Sequence, residues 1–426
     1  MLKDSTLAQW RTVGRYHFEW TEDHIGPRET DRLKSECDTL GSQALGRLQQ
    51  LATSPAAQPE STCSLDLYGV LKEHHAEDPV LDEFWQETHR VPEWVDWAQL
   101  ERGQKFFYRY ALANIVGFAL QGFMAENSAG TAEVLVRTSG FSIRVLLRRV
   151  LETFQWLLQV TRSLDAIKPG GEGHVSTVRV RLLHASVRQR ITRLAESKPE
   201  YFDAVSYGLP VNTLDSLHSI STFCCNPMWL QLPIMGIKPD QQEIDDYIAL
   251  FRYLGHVIGT PQQYFTTAEV GKATMESMLL TRRPTEAAKV LTHNFIQCLV
   301  DLPPLNISRG FIEAGCRFVN GDEICDALDL QRPGWTSYAQ MRGFCWLVQL
   351  LALAQRSFHS FDNFMIEVCL HKQARRWCCL QFTVSSVHAL LHRRREQITQ
   401  LRTRWTVNIR DEVHTTRRLS YSQREE

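Results

Sequence analysis

Apolar positions recur along this chain with the three-to-four-residue period of helices, and residue-by-residue alternation between turn signals is scarce. Residues 1–60 are polar and irregular, closing in a loop over 53–61 marked by Pro55 and Pro59. A helical region opens near Leu65 and is punctuated by Pro79, Pro92 and Gly103. Residues 106–124 read as an apolar helix buried on most sides. Helices over 131–137 and 142–163 follow, then one over 175–196 beyond the turn Lys168-Pro169-Gly170-Gly171. The pattern predicts a helix over 214–223 and a loop over 226–238 marked by Pro227, Pro233 and Gly236. Asp240, with Glu243 three residues on, has the spacing of a capping box that opens a helix over 241–258. Helices over 285–300, 309–329, 338–356 and 382–403 complete the set. With no composition break across 65–400, the chain is expected to be all-α. A polar N-terminal extension (1–64) precedes one large helical domain (65–371), and a basic C-terminal helix and tail (372–426) follows.

The 426 residues carry 47 Lys and Arg against 48 Asp and Glu, a formal charge of −1. That balance speaks against a nucleic-acid binder held by phosphate contacts, and 43% hydrophobic residues against a disordered chain. The eleven cysteines are odd in number, include the adjacent pairs Cys224-Cys225 and Cys378-Cys379, and form no C-x-x-C. They are expected to be small buried hydrophobes in a reducing, intracellular compartment. The first fifteen residues do not read as a secretory signal, and no apolar run has the length of a membrane span. Past His371 the charge turns basic: Lys372, Arg375, Arg376, Arg393, Arg394, Arg395, Arg402, Arg404, Arg410, Arg417, Arg418 and Arg424 face five acids. Two readings of this tail stand, a solvated helix with a frayed end and peripheral contact with an anionic membrane.

Chemistry concentrates in Arg181-Leu-Leu-His184-Ala-Ser-Val-Arg188, where positions i, i+3 and i+7 share a helix face. Two cations beside an imidazole call for an anion, supplied either by carboxylates of neighbouring helices or by the propionates of a haem whose iron His184 holds. The plain alternative is a satisfied core histidine with ordinary ion-pair arginines. Upstream, Arg149 and Thr153 stand at i and i+4 and could donate to bound dioxygen, with Glu152 managing protons or pairing with Arg148 or Arg149. Glu133 has apolar neighbours that would raise its pKa toward that of a useful base, or it is an exposed first-turn glutamate. His388 and His392 have metal-ligand spacing but precede three arginines and lack the H-E-x-x-H glutamate; His74, His75 and His256 have no partners at readable spacing. Phosphate-binding loops, a nucleophile elbow and a covalent-haem C-x-x-C-H are missing.

The R-x-x-H-A-x-V-R string resembles the signature of the family that joins latex-clearing rubber oxygenases to fungal MpaB-type ER-bound oxygenases. Arg149 and Thr153 match that family's upstream R-x-x-x-T helix, and Glu133 its preceding glutamate. Tyr247-Ile-Ala-Leu-Phe251-Arg252-Tyr-Leu-Gly255 is similar to its Y-x-x-x-W-R-x-x-G segment, with Phe for Trp. Ser308-Arg309-Gly310 and Ile324-Cys325-Asp326-Ala-Leu328 are similar to its later helix pair. The likeness covers roughly residues 95–350. It implies a globin-like helical fold enclosing non-covalent haem b, with His184 as the iron ligand and Arg149, Thr153 and Glu133 as catalytic candidates. It also implies Arg181 and Arg188 as supports of the cofactor. The implied activity is a haem-dependent oxygenase that uses O2 to oxidise or cleave a C=C bond in an apolar isoprenoid or polyketide-derived metabolite. Rubber oxygenases place a lysine as distal ligand just before the threonine, where this chain has Glu152; an open or water-bound distal site and a substrate other than rubber follow. An anchor such as the fungal relatives commonly carry is not read in the first residues. Two other readings remain: a non-catalytic helical carrier for a lipid or pigment, and a helical interaction scaffold using the basic tail.

Overall fold

The structure, a computed structural model, describes residues 9–52, 66–122, 128–140, 142–301 and 306–368. Residues 1–366 cluster as one unit and residues from Glu367 onward as another. The helix expected over 382–403, the basic tail, His388, His392, Cys378, Cys379 and the loop over 53–61 lie outside the described residues.

The first sixty residues are better organised than their polarity suggests. Strands β1 (Gln9–Val13) and β2 (Tyr16–Trp20), the only ones among the described residues, pair antiparallel with Val13 opposite Tyr16 across a turn that holds Gly14 at φ +58. The Tyr16 hydroxyl donates to Glu276 at 2.7 Å, and His24 Nε2 stands 3.0 Å from the same carboxylate, which ties the hairpin down. Helices α1 (Pro27–Ser35) and α2 (Thr39–Ala52) follow. In α2, Gly41, Ala44, Leu45 and Leu48 form a narrow buried stripe at helical spacing. Polar residues between them dilute the stripe, and so the segment reads as irregular in sequence.

The remaining helices are α3 (Leu67–His74), α4 (Pro79–His89), α5 (Trp97–Arg109), α6 (Ala111–Gly117), α7 (Ala129–Leu135), α8 (Ile143–Thr161), α9 (Leu164–Ile167) and α10 (Glu172–Ser197). After these come α11 (Ala204–Tyr207), α12 (Thr213–Asn226), α13 (Leu232–Ile234), α14 (Gln241–Ile258), α15 (Ala268–Thr281), α16 (Glu286–Leu299), α17 (Arg309–Asn320), α18 (Asp322–Ala327) and α19 (Trp335–Ser357). Local chemistry sets many of their starts. Asp78 accepts from the amides of Val80 and Leu81 ahead of Pro79, whose missing N–H costs nothing in a first turn. Asp240 and Glu243 form the expected capping box.

Three expectations change. The apolar segment from residue 106 is not one helix: α5 ends at Arg109, α6 runs to Gly117, and a π-helical turn occupies Phe118–Gly122. The expected loop over 226–238 instead continues α12 as a π-helical turn, Pro227–Gln231, and then α13; the widened turn accommodates Pro227, which has no N–H to donate. The helix expected over 309–329 divides into α17 and α18 at Gly321, whose φ of +87 suits glycine.

The core gathers around α14, which lies along α5, and around α10, which packs on α2, α8 and α14. Tyr247 of α14 meets Phe106 at 4.8 Å and Phe251 at 4.9 Å between ring centroids, all three fully buried. At about 1.5 Å per residue the 26-residue α10 is about 39 Å long, and it presents the signature residues to three neighbours at once.

Candidate functional site

Along α10 the two signature arginines and the histidine meet different surroundings. Arg181 is buried; its Nε and Nη2 each donate to Asp38 at 2.8 Å, Glu87 is 2.7 Å away, and the guanidinium lies over Phe84 at 4.8 Å. Arg188 donates to Ser42 Oγ at 2.6 Å, to the Val211 carbonyl at 3.1 Å and to the Asp38 carbonyl at 3.3 Å. Within the protein, the carboxylate facing this cationic pair is Asp38 just ahead of α2, delivered by the N-terminal residues that the sequence presents as an irregular extension, while Arg181 Nη1 and Arg188 Nε are buried without a hydrogen-bond partner among the described residues. Burial alone would raise the Asp38 carboxyl, but its hydrogen bonds from Arg181 hold it below the ordinary value. Gly259 closes the other side. Its φ is +85, and a β-carbon there would come within 2.6 Å of Arg181 Nε.

His184 is different. Among the described residues its ring makes no hydrogen bond, and it stays half-buried inside the helical packing. Burial, aided by the charges of Arg188 and Arg149 and opposed by Asp38, pushes its pKa down to about 4. The imidazole is thus neutral near pH 7 with both nitrogens free, the state in which histidine ligates iron.

On α8, Arg148 pairs with Glu152 at 2.7 Å on the exposed side of the helix. Glu152 is thereby drawn away from Arg149, which has no carboxylate partner among the described residues; its one hydrogen bond there goes to Thr138 Oγ1 at 3.4 Å. Burial lowers the Arg149 pKa. Thr153 donates its hydroxyl to the Arg149 carbonyl at 3.0 Å, which leaves the oxygen as an acceptor only. Glu133, between the buried Ala132 and Val134, forms a close ion pair with Arg137, four residues on. Arg137 also donates to the Tyr201 carbonyl and lies over the Tyr201 and Phe202 rings.

The structure thus brings His184 and Arg149 within electrostatic reach of each other, and it assigns Arg181, Arg188 and Glu133 to protein partners. No group of three metal-ligating side chains exists among the described residues. One free neutral imidazole without further protein donors fits an iron whose other ligands come from a macrocycle. A cleft of about 340 Å³ on the α2 side of α10, lined by Ser42, Ala185, Arg188, Gln189, Thr192, Arg193 and Glu196, does not include His184. Sequence reading also missed Asp38, Glu87, Arg137 and Thr138, whose partners or settings are tertiary. Nor did it single out His218 of α12, 4% exposed with neither ring nitrogen hydrogen-bonded; a lone helical histidine gives no signal.

The model of the ER-bound oxygenase mpaB/B′/rubber oxygenase catalytic domain matches residues 105–353. The chain is 24% identical over 262 residues to a rubber oxygenase from Streptomyces sp. (strain K30), covering 59% of this chain and 61% of that protein. It therefore spans less than two thirds of the length of the curated relative it matches. Its fold resembles that of the latex clearing protein LCP in the closed state, with a TM-score of 0.60 at 18% identity over 78% of this chain and 90% of the other. With the family model matching more than half of its length, this chain belongs to the ER-bound oxygenase mpaB/B′/rubber oxygenase family.

Proposed function

We propose that this protein is a haem-dependent oxygenase that oxidises or cleaves a C=C bond in an apolar isoprenoid or polyketide-derived metabolite of a fungal-type secondary pathway. The observation that carries the reading is His184, neutral, half-buried and free of hydrogen bonds within a family that includes oxygenases. His184 would hold the iron of haem b, and haem bound there supplies the dioxygen activation that side chains lack. Arg149, a partly buried cation without a carboxylate partner among the described residues, is the donor left to face an anionic or oxygen-bearing group. Thr153 acts through its acceptor lone pairs, since its proton is committed to the Arg149 carbonyl. Glu133 serves as a base only when its pair with Arg137 opens.

That last feature favours a second reading, a carrier that binds a lipid or pigment without turnover. Absorption spectra separate the two. The oxygenase reading expects a Soret band in the purified or haem-reconstituted protein and its collapse in His184→Ala, followed by O2-dependent conversion of an apolar alkene. A colourless protein that takes up no haem would sink the first reading and leave the carrier.

A further inference from the structure

The cleft beside α10 follows one stripe of that helix. Ala185, Arg188, Gln189, Thr192, Arg193 and Glu196 stand at i, i+3, i+4, i+7, i+8 and i+11, with Ser42 of α2 opposite. Its volume of about 340 Å³ lies within the usual range of small-molecule sites. Arg188 is only 8% exposed, yet no carboxylate among the described residues forms an ion pair with it. Asp38 spends both carboxylate oxygens on Arg181, and Glu87 pairs with Arg181 as well. Arg188 is left with three neutral acceptors, the Ser42 hydroxyl and the carbonyls of Asp38 and Val211, and its Nε is buried without a partner. A desolvated guanidinium with neutral acceptors alone is a charge out of balance, and an anion in the cleft would close its set.

The other polar groups along the stripe are also unspent. Gln189 accepts from Gln49 Nε2 at 3.1 Å, which fixes its oxygen and leaves its two N–H groups as donors. The Thr192 hydroxyl and the Arg193 guanidinium have no partner among the described residues. Glu196 stands three residues beyond Arg193 without forming the ion pair that this spacing allows. Two cations against one acid give the cleft a net positive charge, and most of its free groups are donors. A carboxylate has the two oxygens that suit a guanidinium fork. The small side chain of Ala185, 1% exposed, leaves room over the helix for a short organic group attached to that acid. His184, one residue earlier, stands about 100° away around the helix and does not line the cleft.

We infer that the cleft between α2 and α10 binds a small organic carboxylate, with Arg188 and Arg193 holding its acid group. The inference does not depend on the oxygenase reading, because binding is read without haem or turnover. Isothermal titration of the full chain with benzoate tests it, with benzamide as the uncharged molecule of the same shape. Benzoate is expected to bind saturably, more weakly as salt is raised, and benzamide is not. Arg188→Gln should weaken binding about tenfold or more, and the more exposed Arg193→Gln about threefold. Arg190→Gln, at an exposed position of the same helix outside the cleft, should leave it unchanged. Should Arg188→Gln disturb folding by circular dichroism, Gln189→Leu with Thr192→Val carries the same test. Absence of saturable binding, equal binding of benzamide, or binding untouched by the folded variants overturns the inference. So does displacement of benzoate by haem together with loss of the Soret band in Arg188→Gln, for the guanidinium would then belong to a propionate of the cofactor.

Discussion

Replacing Asp38 with alanine would leave Arg181 buried with Glu87 as its remaining carboxylate and would take the backbone-anchoring side chain from the start of α2. The expected cost is about 3 kcal/mol, measured by chemical denaturation, because removing one partner strands a desolvated charge; a loss under about 1 kcal/mol would class the pair with exposed ones. Arg149→Ala is expected to lower turnover well beyond any loss of bound haem, as read from the Soret band and product formation. Parallel loss of both would make Arg149 a structural residue. Glu133→Gln should alter the pH–rate profile if the Arg137 pair opens during turnover, and an unchanged profile removes Glu133 from proton transfer. At this scale the sequence placed its candidate residues on α10 and α8 but not the partners they meet. Spacing puts Arg181, His184 and Arg188 on one face, whereas Asp38 lies 143 positions from Arg181, and Thr138, which meets Arg149, lies in the π-helical turn over Val136–Gly140.

Between helices, α5 and α14 pack with their backbones close together. A β-carbon on Gly103 would stand 2.5 Å from the Asp246 carbonyl oxygen, a backbone atom that cannot swing aside. Gly103→Ala should therefore force the two helices apart and cost about 1–3 kcal/mol in thermal or denaturant unfolding. Gly46→Ala in α2, where a β-carbon meets nothing within 4 Å, should instead be neutral or stabilising by about 0.5–1 kcal/mol. Helices with strong caps and contrast were legible, α14 to its terminal residues through Asp240 and Glu243. Helix α15 was not anticipated, because Gly271, Ala273, Thr274 and Ser277 are buried yet too small or polar to raise an apolar period. Pro227 carries a helix-breaking signal in the sequence, yet the helix passes through it by widening its turn.

For the whole molecule, the all-α class was readable from the scarcity of residue-by-residue alternation, while the hairpin and α1–α2 were not. Burial keeps the His218 and His89 imidazoles neutral, each with a pKa pushed down to about 4, with the charge of His174 contributing at His89. Unfolded histidine titrates near 6.5, so between about pH 6.5 and 4 the unfolded chain takes up protons that the folded one refuses, and stability falls as pH falls. For His218 alone the loss reaches roughly 3 kcal/mol once the pH is below about 4. Melting temperatures across that window check it, and His218→Gln should flatten the slope. The Asp38–Arg181 bridge also has a bearing on the order of assembly. Ribosomes make α2 long before α10, so Asp38 has to wait for some 143 further residues to emerge before its partner exists. Alignment of the helix that carries His184 is then a late event in biogenesis, and chains cut short before residue 181 would leave the N-terminal segment with its carboxylate idle and its helices open to chaperones.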